Sequence, residues 1–245
     1  MTENSLTPPA LTIAQRIELA REYHAQGRIT QGTWRTQRDG HELVCALAAF
    51  GPDINGSEQC PAELMPHWMS ALVPAIDDGI AADQVLWFSG ALIDRASRWH
   101  RLDDAAWECI RTGFLIASIR QALASADQVQ PSPKPAYWQQ VVDACAGVIA
   151  ALEEGGDLKK AAKAAYAAAY AAAYAAAYAA ADAAADAAAK AAADAAAYAA
   201  AYAAYAAAYA AADAAAKAAW KSIAETLFRL IDIEIDQCAV EMADA

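Results

Sequence analysis

Residues 161–220 read AAKAAYAAAYAAAYAAAYAAADAAADAAAKAAADAAAYAAAYAAYAAAYAAADAAAKAAW, and this stretch decides the fold. Alanine has the highest intrinsic helix propensity of any residue, and no Gly or Pro occurs from Asp157 to the C-terminus. The segment is therefore predicted to be helical even with little tertiary support. Its other residues recur every four positions: Tyr166, Tyr170, Tyr174 and Tyr178, then Asp182, Asp186, Lys190 and Asp194, then Tyr198 and Tyr202. The step shortens to three at Tyr205 and returns to four at Tyr209, Asp213 and Lys217.

A helix turns about 100° per residue, so a four-residue step advances about 40°. With Tyr166 at zero, the first four tyrosines fall at roughly 0° to 120°, the Asp/Lys group at roughly 160° to 280°, and Tyr198 to Tyr209 at roughly 300° to 360°. One straight helix thus carries an aromatic half, which Trp220 joins, and a charged half, with Asp213 and Lys217 as exceptions. Two other readings stand beside it. Repeat expansion would make the faces accidental. A helical hairpin reversing within residues 182–194 would avoid a free rod of about 120 Å, although no turn residue marks a reversal.

Outward from the repeat, residues 220–242 change character. Ala224, Phe228, Ile231, Ile235, Cys238 and Met242 step by four and three, with Ile223, Leu227 and Leu230 widening the stripe. That pattern predicts a packing face, against the N-terminal part of the chain or against a second copy. The hydrophobic share of 58% is inflated by alanine, which has too little side chain to build a core. The aliphatic and Trp-rich residues from Leu11 to Leu152 must supply that core, together with the C-terminal stripe.

Upstream, the spacing predicts helices over residues 12–26, ended by Gly27, and 41–50, ended by Gly51-Pro52. Between them lies a looser polar stretch, residues 28–40, packing through Trp34. A helical segment over 61–79 is interrupted by Pro66 and Pro74 and closed by Asp77-Asp78-Gly79. Further helices are predicted over 81–99, from the N-cap Asp103 to about residue 126, and over 137–153. Pro131-Ser132-Pro133-Lys134-Pro135 reads as a linker, and no run alternates long enough to predict a strand. The expected fold is all-α: an N-terminal helical bundle domain over 1–156, then a long Ala/Tyr-rich helix or helical hairpin with an amphipathic end over 157–245.

A formal net charge of -12 disfavours direct nucleic-acid binding, which needs Lys and Arg against phosphates. Residues 1–15 lack the order of a secretory signal, which leads us to expect a cytoplasmic protein. The Ala/Tyr stretches approach spanning length but hold no Leu, Ile, Val or Phe, so no membrane span is expected. Cys45, Cys60, Cys109, Cys145 and Cys238 are odd in number and never form C-x-x-C pairs, and they read as small core residues.

Chemistry-bearing motifs are few. His24, His41, His67 and His100 are scattered, Gly-rich phosphate loops and G-x-S-x-G turns are missing, and Asp77-Asp78 reads as a helix end. Glu63 and His67 have the spacing of two ligands on one helix face, but Pro66 separates them and no second pair follows, so no metal or cofactor is expected. Two basic clusters remain: Arg28, Arg35 and Arg38 around Trp34, and a possible basic patch of Arg95, Arg98 and Arg101. Either suits a phosphate or an acidic protein surface, or is a solvated face whose Arg stems cover apolar surface.

The segments Cys45-Ala46-Leu47-Ala48-Ala49, Cys60-Pro61-Ala62-Glu63-Leu64-Met65-Pro66-His67-Trp68 and Ile76-Asp77-Asp78-Gly79, followed by the Ala/aromatic repeat, resemble a group of uncharacterised Ala-rich helical proteins. Temperate phages, prophages and other mobile elements of proteobacteria encode them. That resemblance brings no activity with it. It implies a context in which small accessory proteins bind host complexes, as anti-CRISPR and other counter-defence proteins do.

The expectation is accordingly a non-catalytic protein that binds and inhibits a host defence complex. Its partner-binding surface would be Tyr166, Tyr170, Tyr174, Tyr178, Tyr198, Tyr202, Tyr205, Tyr209 and Trp220, because tyrosine offers large, rigid, amphipathic contact area at low entropic cost. The alternatives are a self-assembling structural protein, as a homo-oligomer or filament, and an enzyme whose site is not recognisable in the sequence.

Overall fold

The computed structural model describes residues 11–129, 133–134, 138–154 and 195–243; of 125–126, 128–129, 195–215 and 241–243 it describes the backbone alone. Among them the protein is mostly helical, with six α-helices and one two-stranded sheet. By contact the chain forms two compact units, Met1–Ile110 with Ala214–Ala245, and Arg111–Asp213. Tyr166, Tyr170, Tyr174 and Tyr178, the predicted hairpin reversal and most of the proline-rich linker lie outside the described residues.

Helix α1 (Ile13–Ala25) forms within the span predicted for it and opens with a reciprocal capping box: Gln15 N–H donates to Thr12 Oγ1 at 3.3 Å and Thr12 N–H to Gln15 Oε1 at 2.9 Å. It ends at Gly27, whose φ of 65° suits glycine and lets Arg28 N–H return to Tyr23 C=O at 2.9 Å. Ile17, Ala20 and Tyr23 face the core, and Arg16 is buried with them. Arg16 holds Asp53 with both terminal nitrogens, at 2.8 and 2.7 Å, and donates to Phe50 C=O at 3.3 Å. The pair keeps the Asp53 carboxyl below its ordinary range. A Cβ at Gly51 would collide with both partners, so glycine there admits the clamp.

The first correction is a hairpin. Strands β1 (Arg35–Arg38) and β2 (His41–Val44) pair antiparallel, Arg38 opposite His41 and Arg35 opposite Val44. Asp39 and Gly40 turn between them at φ 53° and 77°, the left-handed pair of a two-residue hairpin turn. Residues 41–44, expected to open a helix over 41–50, are therefore strand. The chain then continues as a buried run from Val44 to Phe50 with only a single 3-10 turn at Ala48–Phe50. Arg35 explains the difference: it donates to Glu42 at 3.2 Å, to Asn55 at 3.0 Å, to Ala48 C=O at 2.8 Å and to Gly51 C=O, tying hairpin to loop. Those carbonyls find a charged donor in place of helical N–H groups.

Helix α2 (His67–Gly79) starts only after Pro66, so the helical segment expected over 61–79 is shorter, and Glu63 lies in the preceding turn, off the helix of His67. Helix α3 (Val85–Ala96) follows one 3-10 turn and precedes another at Trp99–Arg101. Helix α4 (Asp104–Val129) has the predicted N-cap, Ala106 N–H donating to Asp103 Oδ1 at 2.8 Å. Trp107 on its first turns meets Trp99 and Trp68 edge to face, at centroid distances of 5.7 and 6.2 Å.

The core of the first unit centres on Leu47, Phe50, Leu64, Met69, Ile76, Phe88 and Leu92, and Leu227 of the C-terminal helix is equally buried. Cys45 and Cys60 carry unpaired thiols that burial pushes up to about 11 and about 12, so both are inert filler. In the second unit, helix α5 (Trp138–Glu154) buries Trp138, and Arg120 pairs with Glu153 at 3.0 Å. Helix α6 (Ala195–Ala243) is the last element. No helix among the described residues is long and apolar enough to cross a membrane.

Candidate functional site

The C-terminal stripe shares α6 with Tyr198, Tyr202, Tyr205 and Tyr209, whose backbone belongs to that helix. Ala224, Leu227, Phe228, Ile231 and Ile235 of the stripe are buried. At about 1.5–3 kcal/mol for each fully buried large apolar side chain, these residues hold the end of α6 in the core of the first unit. Phe228 stacks on Phe88 at 5.5 Å and meets Trp87 edge-on at 6.1 Å. The Arg95 guanidinium covers its ring at 4.5 Å, a cation over a π-face.

Two of the three arginines of the possible basic patch are engaged in the same joint. Arg95 donates to Asp232 Oδ2 at 2.5 Å and Arg98 to Asp232 Oδ1 at 3.0 Å. Arg101 is exposed and outside this clamp. One carboxylate thus anchors α6 to two arginines, Arg95 on α3 and Arg98 just beyond its end. Asp232→Ala is expected to lower stability by about 1–2 kcal/mol, since it takes the charged acceptor from the largely buried Arg95 and leaves it only Ala91 C=O. Urea midpoints check this, and an unchanged midpoint would show the clamp to be only a surface pair.

Trp220, assigned from its helix phase to a partner-binding face, lies on the last turn of α2: the Cβ of any residue replacing Gly79 would stand 2.5–2.6 Å from its indole carbons. The ring therefore lies flat on a glycine backbone and acts as the first anchor of the C-terminal segment. In the sequence Gly79 reads only as a helix stop, which hides this contact.

Beside the joint, α3 and α6 leave a groove of about 340 Å³ lined by Trp87, Ala91, Arg95, Phe228, Asp232 and Ile233. Trp87 remains 37% exposed and Ile233 39% exposed on its walls, and Glu225, Arg229 and Asp236 add charges. An aromatic wall within a charged border is the make-up of a protein-binding surface, where Trp and Arg concentrate binding energy. Lys221 lies over the outer face of Trp87 at 5.4 Å, which keeps the indole upright.

Sequence reasoning misses Arg16 and Asp77, both buried ionisable groups. For Arg16 a signal exists: it falls within the arc of Ile13, Ile17 and Ala20 on α1, where a charge needs a partner. For Asp77 there is none, because an acid beside Gly79 is an ordinary helix end. No protein-family model, curated protein or solved structure matches the chain.

Proposed function

We propose that this protein is a non-catalytic interaction protein that binds and inhibits a macromolecular complex of a bacterial host, acting in the cytoplasm as a counter-defence factor of a phage or mobile element. The observation that carries the reading is the union, in one helix, of the positions Tyr198, Tyr202, Tyr205 and Tyr209 with a C-terminal end locked into a packed core. Helical backbone at these positions lowers the conformational entropy lost on binding, and tyrosine contributes contact area with few rotatable bonds. The N-terminal helices, as a bundle, serve as the platform. Trp87 and Ile233, exposed beside the anchored end, extend the apolar surface available to a partner.

The test compares wild type with two variants in affinity capture from a bacterial host lysate, read by mass spectrometry. One variant replaces Tyr166, Tyr170, Tyr174 and Tyr178 by alanine, and the other Tyr198, Tyr202, Tyr205 and Tyr209. Alanine favours the helix, so both should keep their helical circular dichroism. A defined host complex is expected with wild type and a loss of about tenfold or more with at least one variant, the scale of losing hot-spot aromatics. Undiminished capture by both folded variants would overturn the tyrosine reading. Capture of nothing but the protein itself would favour a homo-oligomer, which close approach of alanine-faced helices makes feasible.

A further inference from the structure

The end of α1 and one face of the hairpin enclose a cleft of about 590 Å³, within the span usual for small-molecule sites. Its walls are residues 26–30 on one side and Arg38, Asp39, His41 and Leu43 on the other. The ladder sets the second wall: Arg38 lies opposite His41 and Thr36 opposite Leu43, so these side chains share one face of the hairpin. Glu42, on the opposite face, already accepts from Tyr23 and Arg35.

Three cationic or hydrogen-bonding residues, Arg28, Arg38 and His41, line this cleft. The Arg28 guanidinium lies 4.3 Å from the centroid of the Tyr23 ring, and its buried Nε–H has no hydrogen-bond partner. Arg38 and His41 make no side-chain hydrogen bond or ion pair among the described residues. This contrasts with Arg35 of the same basic cluster, whose donors are all turned inward. In a chain of net charge -12, two arginines beside a histidine on one cleft are a local concentration that runs against the overall field, and Arg38 and His41 are exposed to an incoming ligand.

We propose that this cleft binds a nucleoside monophosphate, with its phosphate received by Arg28, Arg38 and His41 and its sugar hydroxyls by Asp39. Donors approaching from two walls match the three-sided oxygens of a phosphomonoester better than the flat edge of a carboxylate. Arg28, stiffened by its stack on Tyr23, supplies a fixed fork, and His41 supplies an N–H in either protonation state. Asp39 sits at the hairpin tip beside these donors. Its carboxylate repels a bare phosphate but accepts from vicinal hydroxyls, as acidic residues do at ribose. The site is separate from the helix proposed to bind a partner, and neither reading depends on the other.

Isothermal titration with AMP on the full chain tests the site, with adenosine and inorganic phosphate as comparison ligands. Binding of AMP is expected, with no detectable binding of adenosine and at least tenfold weaker binding of inorganic phosphate. Arg28→Gln and Arg38→Gln should each weaken AMP roughly tenfold, the loss typical of one charged hydrogen-bonding partner. Arg101→Gln, an equal charge change elsewhere, should leave it unaltered. Should Arg28→Gln disturb folding, Arg38→Gln at the exposed hairpin tip carries the same test. No heat with millimolar AMP, equal affinity for AMP and inorganic phosphate, or equal losses from Arg38→Gln and Arg101→Gln would each overturn the proposal.

Discussion

Asp77→Asn is expected to stabilise the protein at neutral pH by on the order of 2 kcal/mol and to remove a loss of stability that wild type suffers between about pH 4 and pH 7. Asp77 is fully buried in the last turn of α2. One oxygen accepts from Ala46 N–H at 3.4 Å, and the other has no partner. Burial pushes the carboxyl from 3.8 up to about 7; the Ala46 N–H opposes the rise weakly, and the neighbouring charge of Asp78 adds to it. No cation among the described residues compensates it, so ionising it means holding a charge away from water.

The folded pKa lies above the unfolded one, so the contribution to stability is complete below about pH 4 and is lost as pH rises through about 7. The span corresponds to on the order of 4 kcal/mol between the two limits. Asparagine keeps an acceptor for Ala46 but adds an amide N–H₂ whose own burial costs about 1–3 kcal/mol, which sets the smaller net gain. Asp53 and Glu42 act with opposite sign, since Arg16 and Tyr23 hold their carboxyls low and their stabilisation is lost on acidification below about pH 4. Both proteins share those contributions, which cancel in the comparison. Thermal melts should thus place the variant below wild type near pH 4, where only the amide cost remains, cross between about pH 4.5 and pH 6, and place the variant above wild type from about pH 7 to pH 8. Parallel curves across that range would show Asp77 to be solvated and the account wrong.

Gly79→Ala is expected to cost about 3 kcal/mol and to loosen the C-terminal segment from Trp220 onward. A methyl group at Gly79 would overlap the Trp220 ring at 2.5–2.6 Å. A helix backbone cannot yield by that much, so the indole must leave, giving up the burial of one face together with its packing. The decisive measurement is a double-mutant cycle. Trp220→Ala alone should cost about 2–3 kcal/mol. With the ring gone, the same Gly79→Ala change should become neutral or stabilising by up to about 1 kcal/mol, because alanine is the better helix residue. That reversal of sign depends on the contact alone. Additive losses would mean that Gly79 is needed for the conformation of α2 and that Trp220 rests elsewhere. Amide exchange in residues 219–231 should accelerate in either single variant, which locates the loosening in the anchored segment.

Several elements are legible from local pattern. Residues 195–243 form one helix because alanine favours it and nothing in the stretch breaks it. Thr12 with Gln15, Gly27 and Asp103 mark helix ends through local hydrogen bonds that their own side chains or backbone supply. The C-terminal stripe announces a packed face, and Ala224, Leu227, Phe228, Ile231 and Ile235 are indeed buried. The hairpin is less visible. Asp39-Gly40 is a strong turn pair, but polar residues on both sides hide the alternation that identifies strands. Four residues per strand leave too short a pattern to read.

What the sequence alone determined about this protein is thus whatever neighbours in the chain decide: helix propensity, caps, breaks and the apolar stripe of the last helix. The tertiary structure alone decided that Arg35 binds the loop carbonyls, that Asp232 joins Arg95 and Arg98, that Trp220 rests on Gly79, and that Asp77 is sealed from water. Each of these joins residues far apart in sequence, and its energy comes from burial and from charge in a dry interior. Neither exists until the chain has closed on itself, so local pattern carries no trace of them.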